Sequence, residues 1–362
     1  MIYEPVWVAI CAALASGGVT YAVRALALRT GLLDLPNIRS THTVPVPRLG
    51  GVGIVCGVWA VAGIVDIRSH PMVWMTLFST IPLYALVYDD LLSASGGGMG
   101  PVSKSAVQVA ASSVLILQSG LSLERVTVPA VGQFEMGWVA VPATFLWLLY
   151  VTNIYNFMDG IDGLAGSQGL LIGMLLFGIA LGHGSSDLVL LSGAVAGGSL
   201  GFLIFNRPPA SIMMGDTGAG FLGFLLAAAA LIAERDGMSS LTVPVLLGPF
   251  LFDASYTLVR RLLRRENIFR AHRSHLYQRL VRQGTSPARV DLLFVAALLP
   301  CGLSACLLNR GRPAGAGLAF GAFLLSGIGL AWWVERRWGL RPCDPGESEP
   351  GARVGRHSNP IL

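Results

Sequence analysis

The segment from Trp138 to Leu181 has the sequence WVAVPATFLWLLYVTNIYNFMDGIDGLAGSQGLLIGMLLFGIAL. Its two ends are apolar blocks, 138–152 and 164–181, and its centre is a short polar connection, 153–163. A helix of about 20 apolar residues is long enough to cross the hydrocarbon core of a bilayer. The segment therefore predicts two membrane-spanning helices that are joined by a polar turn at one membrane surface.

The rest of the chain repeats this pattern of apolar blocks and short polar connections. Of its 362 residues, 53% are hydrophobic and only 12% are charged, whereas soluble proteins carry about 25% charged residues. The blocks lack the alternation of a β-barrel, and a spanning helix satisfies its own backbone hydrogen bonds in lipid. The sequence thus predicts an all-α, polytopic transmembrane bundle with about eleven spans, ten being the alternative. The predicted spans are 6–28, 50–67, 71–88, 104–119, 138–152, 164–181, 187–205, 217–233, 241–259, 290–308 and 313–334.

The charge distribution predicts how these spans are oriented. With the N-terminus outside, the inner segments, counted from Arg24, hold 20 of the 25 Lys and Arg residues, as the positive-inside rule demands. We therefore expect a single transmembrane catalytic domain, 1–338, in the inner (plasma) membrane, with its C-terminus and its active site on the cytoplasmic side. The expected cytoplasmic loops are 29–49, 89–104, 153–163, 206–216 and 260–289.

Two segments outside the spans carry predictions of their own. The tail 339–362 is rich in Pro, Gly, Arg and Glu, a composition that predicts disorder. The outer segment 120–137 has apolar residues between Pro and Gly, which predicts a short hairpin.

Polar residues collect at the predicted cytoplasmic ends of the odd-numbered spans. They are Asp89, Asp90, Asn153, Asn156, Asp159, Asp162, Asn206, Asp216, Asp253, His272 and His275. A lone carboxylate in such a place is most often a solvated loop residue. The clustering of so many on one side favours a functional site.

Three features distinguish this set from solvated loop residues. Asp89 and Asp90 are adjacent, and neighbouring carboxylates repel unless a cation or a proton relieves them. The run from Asn153 to Gly163 places amides and carboxylates three residues apart, a spacing that puts helical neighbours on adjoining faces. Asp216 lies between two glycines at the start of a span, where a helix N-terminus favours an anionic group.

The residue types predict the ligands of this site. Carboxylate and amide oxygens without cysteine are ligands of hard cations, which predicts Mg²⁺, with Mn²⁺ as the alternative. The segment 260–289 carries nine arginines. Two interpretations of these arginines stay open, a clamp for phosphate or contact with anionic lipid headgroups. A metal and basic groups at a membrane surface predict phosphoryl transfer between a soluble nucleotide conjugate and a lipid phosphate.

Six short motifs follow one another along the chain. They are Asp34–Gly51, Asp89-Asp90, Asn153–Gly163, Phe205–Ala210, Met214–Gly218 and His272–Arg279. On these motifs the sequence resembles the polyprenyl-phosphate N-acetylhexosamine-1-phosphate transferase superfamily, also called glycosyltransferase family 4. The resemblance covers residues 30–290, and the stretch NFMDGIDG from Asn156 to Gly163 is its most specific part.

The resemblance implies a role for each matching residue. The implied catalytic residues are Asp89, Asp90, Asp159, Asp162, His272 and His275. The implied substrate-binding residues are Arg39, His42, Arg48, Lys104, Asn153, Asn156, Asn206 and Arg273. The implied metal ligands are Asp216, Asp89 and Asp90. Within these sets, the 153–163 run lines the nucleotide-sugar pocket, Asn206 lies near the uridine, and the two histidines lie at the diphosphate.

The chain departs from one branch of the family in its histidine motif. Enzymes of the phospho-MurNAc-pentapeptide translocase group have three consecutive histidines, whereas Arg273 and Ser274 separate His272 from His275 here. This pattern is more similar to the enzymes that initiate O-antigen and enterobacterial common antigen synthesis.

The resulting hypothesis is transfer of N-acetylhexosamine-1-phosphate from a UDP-sugar to undecaprenyl phosphate. The products would be a polyprenyl diphosphate sugar and UMP, and the reaction would initiate a cell-surface polysaccharide such as O-antigen. The expected partners are the UDP-sugar, the polyprenyl phosphate and the membrane, with a homodimer as an open alternative and no nucleic acid.

Three alternatives remain. One is a phospho-MurNAc-pentapeptide-type transferase of peptidoglycan synthesis. Another is a CDP-alcohol phosphotransferase, although the longer aspartate motif of that class is absent after Gly163. The third is a transporter, which would carry its polar residues near the middle of the membrane.

Overall fold

The computed structural model describes residues 3–34, 45–94, 97–128, 132–267 and 272–338. Its helices, in chain order, are α1 Tyr3–Thr30, α2 Gly51–Trp59, α3 Pro71–Ser79, α4 Ala85–Ala94, α5 Pro101–Ser119, α6 Ala140–Met158, α7 Leu164–His183, α8 Ser186–Asn206, α9 Gly215–Arg235, α10 Thr242–Leu246, α11 Gly248–Leu263, α12 Leu276–Arg282, α13 Pro287–Asn309 and α14 Pro313–Trp338. Short 3₁₀ turns follow α2, separate α3 from α4, and precede α6. The prediction of an all-α architecture is confirmed.

Two small antiparallel ladders accompany the helices. β1 (Leu33–Asp34) pairs with β2 (Val46–Pro47), and β3 (Arg125–Val128) pairs with β4 (Gly132–Glu135). The second ladder confirms the hairpin that was predicted within 120–137. The first ladder ends at Pro47, directly before Arg48.

The predicted spans all coincide with helical segments. Eight of these, in the described part of the chain, are long and apolar enough to cross a membrane, and Gly51–Gly63 is a shorter apolar helix. The chain is therefore a multi-pass membrane protein, while its orientation and the count of eleven remain predictions. The helical segments 101–119 and 242–263 are not among the eight; the second is divided into α10 and α11.

The polar connections are shorter than the sequence pattern indicated. The third span is broken by the 3₁₀ turn Ile81–Tyr84, which contains Pro82, and then continues as α4 to Ala94. Proline removes a backbone donor and obstructs the preceding turn, which explains the break. Asp89 and Asp90 therefore lie on a helix and are buried, where a loop from residue 89 was expected. Asn153 and Asn156 likewise lie within α6.

α9 is the central helix of the bundle. Every residue from Thr217 to Ala233 on it is buried. A Cβ atom on Gly218 would lie 2.6 Å from the Cα atom of Gly51, so the backbones of α9 and α2 touch. This close approach holds the start of α9 against the segment that carries Arg48.

Candidate active site

Three carboxylates meet at the N-terminal end of α9. Asp89 and Asp90 come from α4, and Asp216 lies in the first turn of α9. One oxygen of each lies within 4.8 Å of the others. The structure thus brings together the three residues that the sequence analysis named as metal ligands.

Asp90 holds the start of α9 in place. Its Oδ1 accepts a hydrogen bond from the backbone N–H of Asp216 at 3.0 Å, and its Oδ2 accepts one from the N–H of Thr217 at 2.9 Å. The Thr217 hydroxyl and Arg48 Nε also donate to this carboxylate, at 2.6 and 3.0 Å. A carboxylate that caps a helix N-terminus satisfies its free N–H groups and complements the helix dipole. Asp90 therefore positions Asp216, with both of its own oxygens engaged.

Two cations lie between the carboxylates. Lys104 Nζ contacts Asp89 Oδ2 at 2.8 Å and Asp216 Oδ2 at 2.5 Å. Arg48 connects Asp90 with the other oxygen of Asp216, at 3.2 Å from its Nη2. Both side chains were predicted to bind substrate. Because Arg48 and Lys104 lie beside the acidic cluster, they can also contact an anionic ligand that binds there.

The donor set fits a hard divalent cation. Its ligands are carboxylate oxygens, which Mg²⁺ prefers, and three carboxylates against two basic side chains leave a net negative charge. Asp89 and Asp216 both direct an oxygen at Lys104 Nζ, so they already share one cation between them. These two residues could hold a metal, and Asp90, which caps α9, is the least available of the three.

The polar run after α6 lies next to this cluster. The side chain of Asn156 hydrogen-bonds to Asp216, as expected for a residue of the site. Burial, followed by the negative charge of Asp216, raises the pKa of Asp159 well above its ordinary value. Asp159 is thus the carboxyl here that most readily keeps a proton.

Asn153 contacts the neighbouring helix instead. Its Nδ2 donates to Gln108 Oε1 at 2.7 Å and to Leu149 O at 2.8 Å, and Gln108 donates back at 3.3 Å. This reciprocal amide pair fastens α6 to α5. Sequence analysis did not identify Gln108, although it lies four residues after Lys104 and so shares that residue's helix face.

Asp162 and Asn206 join two connections to each other. Asp162 Oδ2 accepts from Ala210 N at 2.9 Å, and Asn206 Oδ1 accepts from Gly163 N at 3.0 Å. Asn206 also donates to Ile212 O at 2.9 Å. These bonds hold the 160–163 turn against the segment after α8. Both residues were predicted to act on substrate, and the contacts described here give them a part in shaping the site.

The histidine motif forms a second cluster beside the first. The rings of His272 and His275 are 5.1 Å apart, and His275 Nδ1 lies 3.1 Å from Asp253 Oδ1. Burial, together with the positive charges of His275 and Arg261, lowers the pKa of His272 to about 4. Arg273 is half-buried and close enough to Tyr277 for its charge to act on the phenol.

Two predicted residues, Arg39 and His42, lie outside the described residues. Tyr277 and Thr217, in contrast, were not predicted, and the structure gives both a place in the site. Thr217 lies within the Met214–Gly218 motif and Tyr277 within the His272–Arg279 motif. Their roles depend on which way the helix that carries them is turned, which the motifs alone do not reveal.

The chain is similar in sequence to known proteins of one family. The model of glycosyl transferase family 4 matches residues 72–234, a range that contains the acidic cluster and the 153–163 run. A protein of Bacillus subtilis (strain 168), described as a probable undecaprenyl-phosphate N-acetylglucosaminyl 1-phosphate transferase, is 32% identical over 74% of this chain and 75% of its own length. The decaprenyl-phosphate N-acetylglucosaminephosphotransferase of Mycobacterium tuberculosis (strain ATCC 25618 / H37Rv) is 29% identical over 91% of this chain and 89% of its own length.

A relative of another kind is also similar. The phospho-N-acetylmuramoyl-pentapeptide-transferase of Moorella thermoacetica is 31% identical over 69% of this chain and 80% of its own length.

Proposed function

The chain belongs to glycosyl transferase family 4, and from this premise we propose that it transfers N-acetylglucosamine 1-phosphate from UDP-N-acetylglucosamine to a polyprenyl phosphate. It is a membrane enzyme that transfers a sugar phosphate. The choice of N-acetylglucosamine is supported by the two relatives named as N-acetylglucosamine phosphotransferases. The choice of acceptor is supported by the same names and by the apolar helices around the site.

One observation carries the proposal. Asp89, Asp216, Arg48 and Lys104 come from separate parts of the chain and converge. Lys104 contacts both Asp89 and Asp216, and Arg48 contacts Asp216. A diphosphate needs cations that neutralise its oxygens, and a phosphoryl transferase works mainly by positioning and electrostatic stabilisation. Convergent basic groups beside carboxylates that fit Mg²⁺ meet that need.

The proposed reaction is a single displacement at phosphorus. An oxygen of the polyprenyl phosphate attacks the β-phosphorus of the UDP-sugar. The bond from that phosphorus to the bridging oxygen breaks, and UMP leaves with this oxygen. The second pKa of a phosphate monoester is about 6, so the nucleophile is already largely ionised at neutral pH. No side chain is required to remove a proton from it.

The residues of the site have separate roles in binding the metal, the phosphate groups and the nucleotide. Asp216 and Asp89 would hold Mg²⁺ or Mn²⁺, which neutralises and orients the diphosphate when it is bound. Lys104 and Arg48 supply positive charge to the phosphate oxygens. Asp90 keeps Asp216 in place through the N-terminus of α9. Asn156, bonded to Asp216, extends the polar wall toward the nucleotide.

The cellular setting follows from the charge pattern. Because 20 of its 25 basic residues lie in the segments assigned to the inside, the chain presents this site on the cytoplasmic side of the inner membrane. UDP-sugars are available there, and the product would begin a cell-surface polysaccharide, of which O-antigen is one example. A homodimer is an additional prediction, and the mass of the detergent-solubilised protein would test it.

A second candidate is transfer of phospho-N-acetylmuramoyl-pentapeptide. The similarity to the enzyme of Moorella thermoacetica favours it. The separation of His272 from His275 by two residues favours the first candidate, because the translocase group has three consecutive histidines.

The experiment that separates the candidates uses purified protein, a polyprenyl phosphate, Mg²⁺ and a panel of UDP-sugars. We expect UMP release and a lipid-linked N-acetylglucosamine diphosphate, identified by mass spectrometry. Product from UDP-MurNAc-pentapeptide alone would support the second candidate. Absence of a lipid-linked product with every donor would overturn both.

A further inference from the structure

Asp253 is a buried carboxylate on α11 that neither the family motifs nor the proposed mechanism uses. Only 1% of its surface is exposed. Its Oδ1 lies 3.1 Å from His275 Nδ1 and accepts a bond from Leu276 N at 2.9 Å, while Oδ2 accepts one from Tyr277 N at 3.0 Å. Thr257 Oγ1 donates to Oδ1 at 3.2 Å. The carboxylate therefore binds the start of α12 and the histidine that precedes it.

These contacts determine which nitrogen of His275 can meet a ligand. When one ring nitrogen is bonded to a carboxylate, the orientation of the ring and the role of the other nitrogen are set. Nδ1 is engaged with Asp253, and the His275 side chain also takes part in a capping box with Gln278 at the start of α12. Nε2 is consequently the nitrogen that remains for a substrate oxygen.

α12 is also fixed against the polar run that carries Asn156 and Asp159. The Tyr277 hydroxyl donates to Phe157 O at 2.9 Å. A Cβ atom at Gly160 would lie 1.9 Å from that hydroxyl oxygen, so only glycine permits this contact. The ring of His275 lies 6.2 Å from the ring of Phe157. His275 therefore lies directly beside the connection that reaches the acidic cluster.

The two histidines of the motif have different surroundings. His272 Nδ1 contacts Ser274 Oγ at 3.0 Å, and its pKa, lowered to about 4 by burial and by His275 and Arg261, leaves it neutral at pH 7. His275 has a buried carboxylate as its partner. His272 is thus held by a neighbouring serine, and His275 by a buried carboxylate on another helix.

We propose that Asp253 is a positioning residue, which fixes His275 so that Nε2 is presented to an oxygen of the substrate diphosphate. The identity of that ligand rests on the proposed function. Asp253 does not touch substrate. It acts through His275, in the way that outer carboxylates orient histidines that bind a metal.

The test is a double-mutant cycle of Asp253→Asn and His275→Asn, measured as UMP release from UDP-N-acetylglucosamine by the purified full chain. We expect about a 10-fold to 100-fold loss from Asp253→Asn, the range found for partners that orient a ligating histidine. In the His275→Asn background the same substitution should cost less than about 2-fold, because an effect exerted through His275 is already lost.

A matched control is available at the other end of α12. Arg279 Nη1 lies 2.6 Å from Glu335 Oε1 on α14, and Tyr256 and Arg260 of α11 contact the same oxygen at 2.9 and 2.6 Å. Glu335→Gln thus loosens the anchoring of both α11 and α12 while leaving the contact between Asp253 and His275 in place. If this contact is only a structural tether, Glu335→Gln should lower the melting temperature, and it should reduce UMP release by the same factor in the wild-type and His275→Asn backgrounds. Thr257→Val, which removes one bond to Asp253 and keeps its charge, should retain activity within about 3-fold.

Several results would overturn the proposal. One is that the losses of UMP release measured for the two single variants multiply in the Asp253→Asn/His275→Asn protein, as they do for independent sites. If the Asp253→Asn protein does not fold, UMP release by the His275→Asn protein is the remaining test, because an asparagine can still donate to Asp253 but has no Nε2. Wild-type turnover by that variant would overturn the role. A wild-type enzyme that transfers nothing from any UDP-sugar would instead overturn the proposed function, on which this role rests.

Discussion

The two ends of α9 differ in whether their acidic side chains outnumber the basic or histidine side chains that they contact. At the N-terminal end, three carboxylates, Asp89, Asp90 and Asp216, face two basic side chains, Arg48 and Lys104. About 30 Å away, since a helix rises 1.5 Å per residue, the C-terminal end carries a second polar cluster. It consists of His70, Asp187, Arg235 and Asp236.

The second cluster is balanced within the described chain. Asp187 lies 3.1 Å from His70 Nδ1 and 3.9 Å from Arg235, and Arg235 lies 3.4 Å from Asp236. Two acids thus face two partner side chains, the Arg235 guanidinium and the His70 imidazole, so the acids of this end do not outnumber their partners. The comparison teaches that buried carboxylates in excess, rather than acidic residues as such, distinguish a ligand site from a structural one.

The largest effect should follow from Asp216→Ala. This substitution removes the carboxylate that both Lys104 and Arg48 contact, and we expect at least about a 100-fold loss of UMP release, as when one preorganised electrostatic group is deleted from an active site. Asp236→Ala at the opposite end is the matched control and should retain activity. Equal activity of the two variants would remove the distinction between the ends.

A smaller effect should follow from Lys104→Met. A bond between charged groups contributes about 1.5–3 kcal/mol, so we expect kcat/KM for the UDP-sugar to fall about 10-fold to 100-fold. Since Asp89 and Asp216 lose the cation they share, half-maximal activity should need less Mg²⁺ than in the wild type. A Mg²⁺ titration checks this, and an increased requirement would contradict the view that Lys104 and the metal share ligands.

How much of this contrast the sequence predicts depends on the kind of contact. Hydropathy and charge predict that Asp89, Asp90 and Asp216 lie at one membrane surface, which is why their convergence could be expected. The capping of α9 by Asp90 could not be expected from the sequence, because it depends on how α4 is rotated against α9. Asp253 was recognisable in the sequence only as an acid near the end of a span, since the segment that it positions, His275 to Tyr277, lies 22 to 24 residues away.

Asp159→Asn should have a moderate effect that depends on pH. The pKa of Asp159 is raised by burial and by Asp216, so fold stability is lost as the pH rises from the ordinary pKa of an aspartate to that raised pKa, and the full loss is present above it. Without metal, the variant should therefore melt about 2–4 °C higher than the wild type at pH 8. The difference should shrink as the pH falls through the raised pKa. A constant difference across the pH range would contradict the assignment.

The smallest effect is expected at the balanced end. Asp187→Asn breaks contacts with His70 and with Arg235, whose side chain is 44% exposed. Asp187 itself is buried, and leaving a buried polar group without its partner costs about 1–3 kcal/mol, so the melting temperature should fall by a few degrees, with UMP release unchanged. Loss of transfer by this variant would show that the two ends are coupled, which the comparison does not predict.

The central claim is that the unbalanced carboxylates at the start of α9 form a metal-dependent centre for sugar phosphate transfer. The most direct test is titration of the purified protein with Mn²⁺, followed by electron paramagnetic resonance, with UMP release measured in the same samples. The account predicts one bound Mn²⁺ per chain in the wild type and in Asp236→Ala, none in Asp216→Ala, and transfer in proportion to the bound metal. Full transfer without bound metal, or undiminished Mn²⁺ binding by Asp216→Ala, would contradict it.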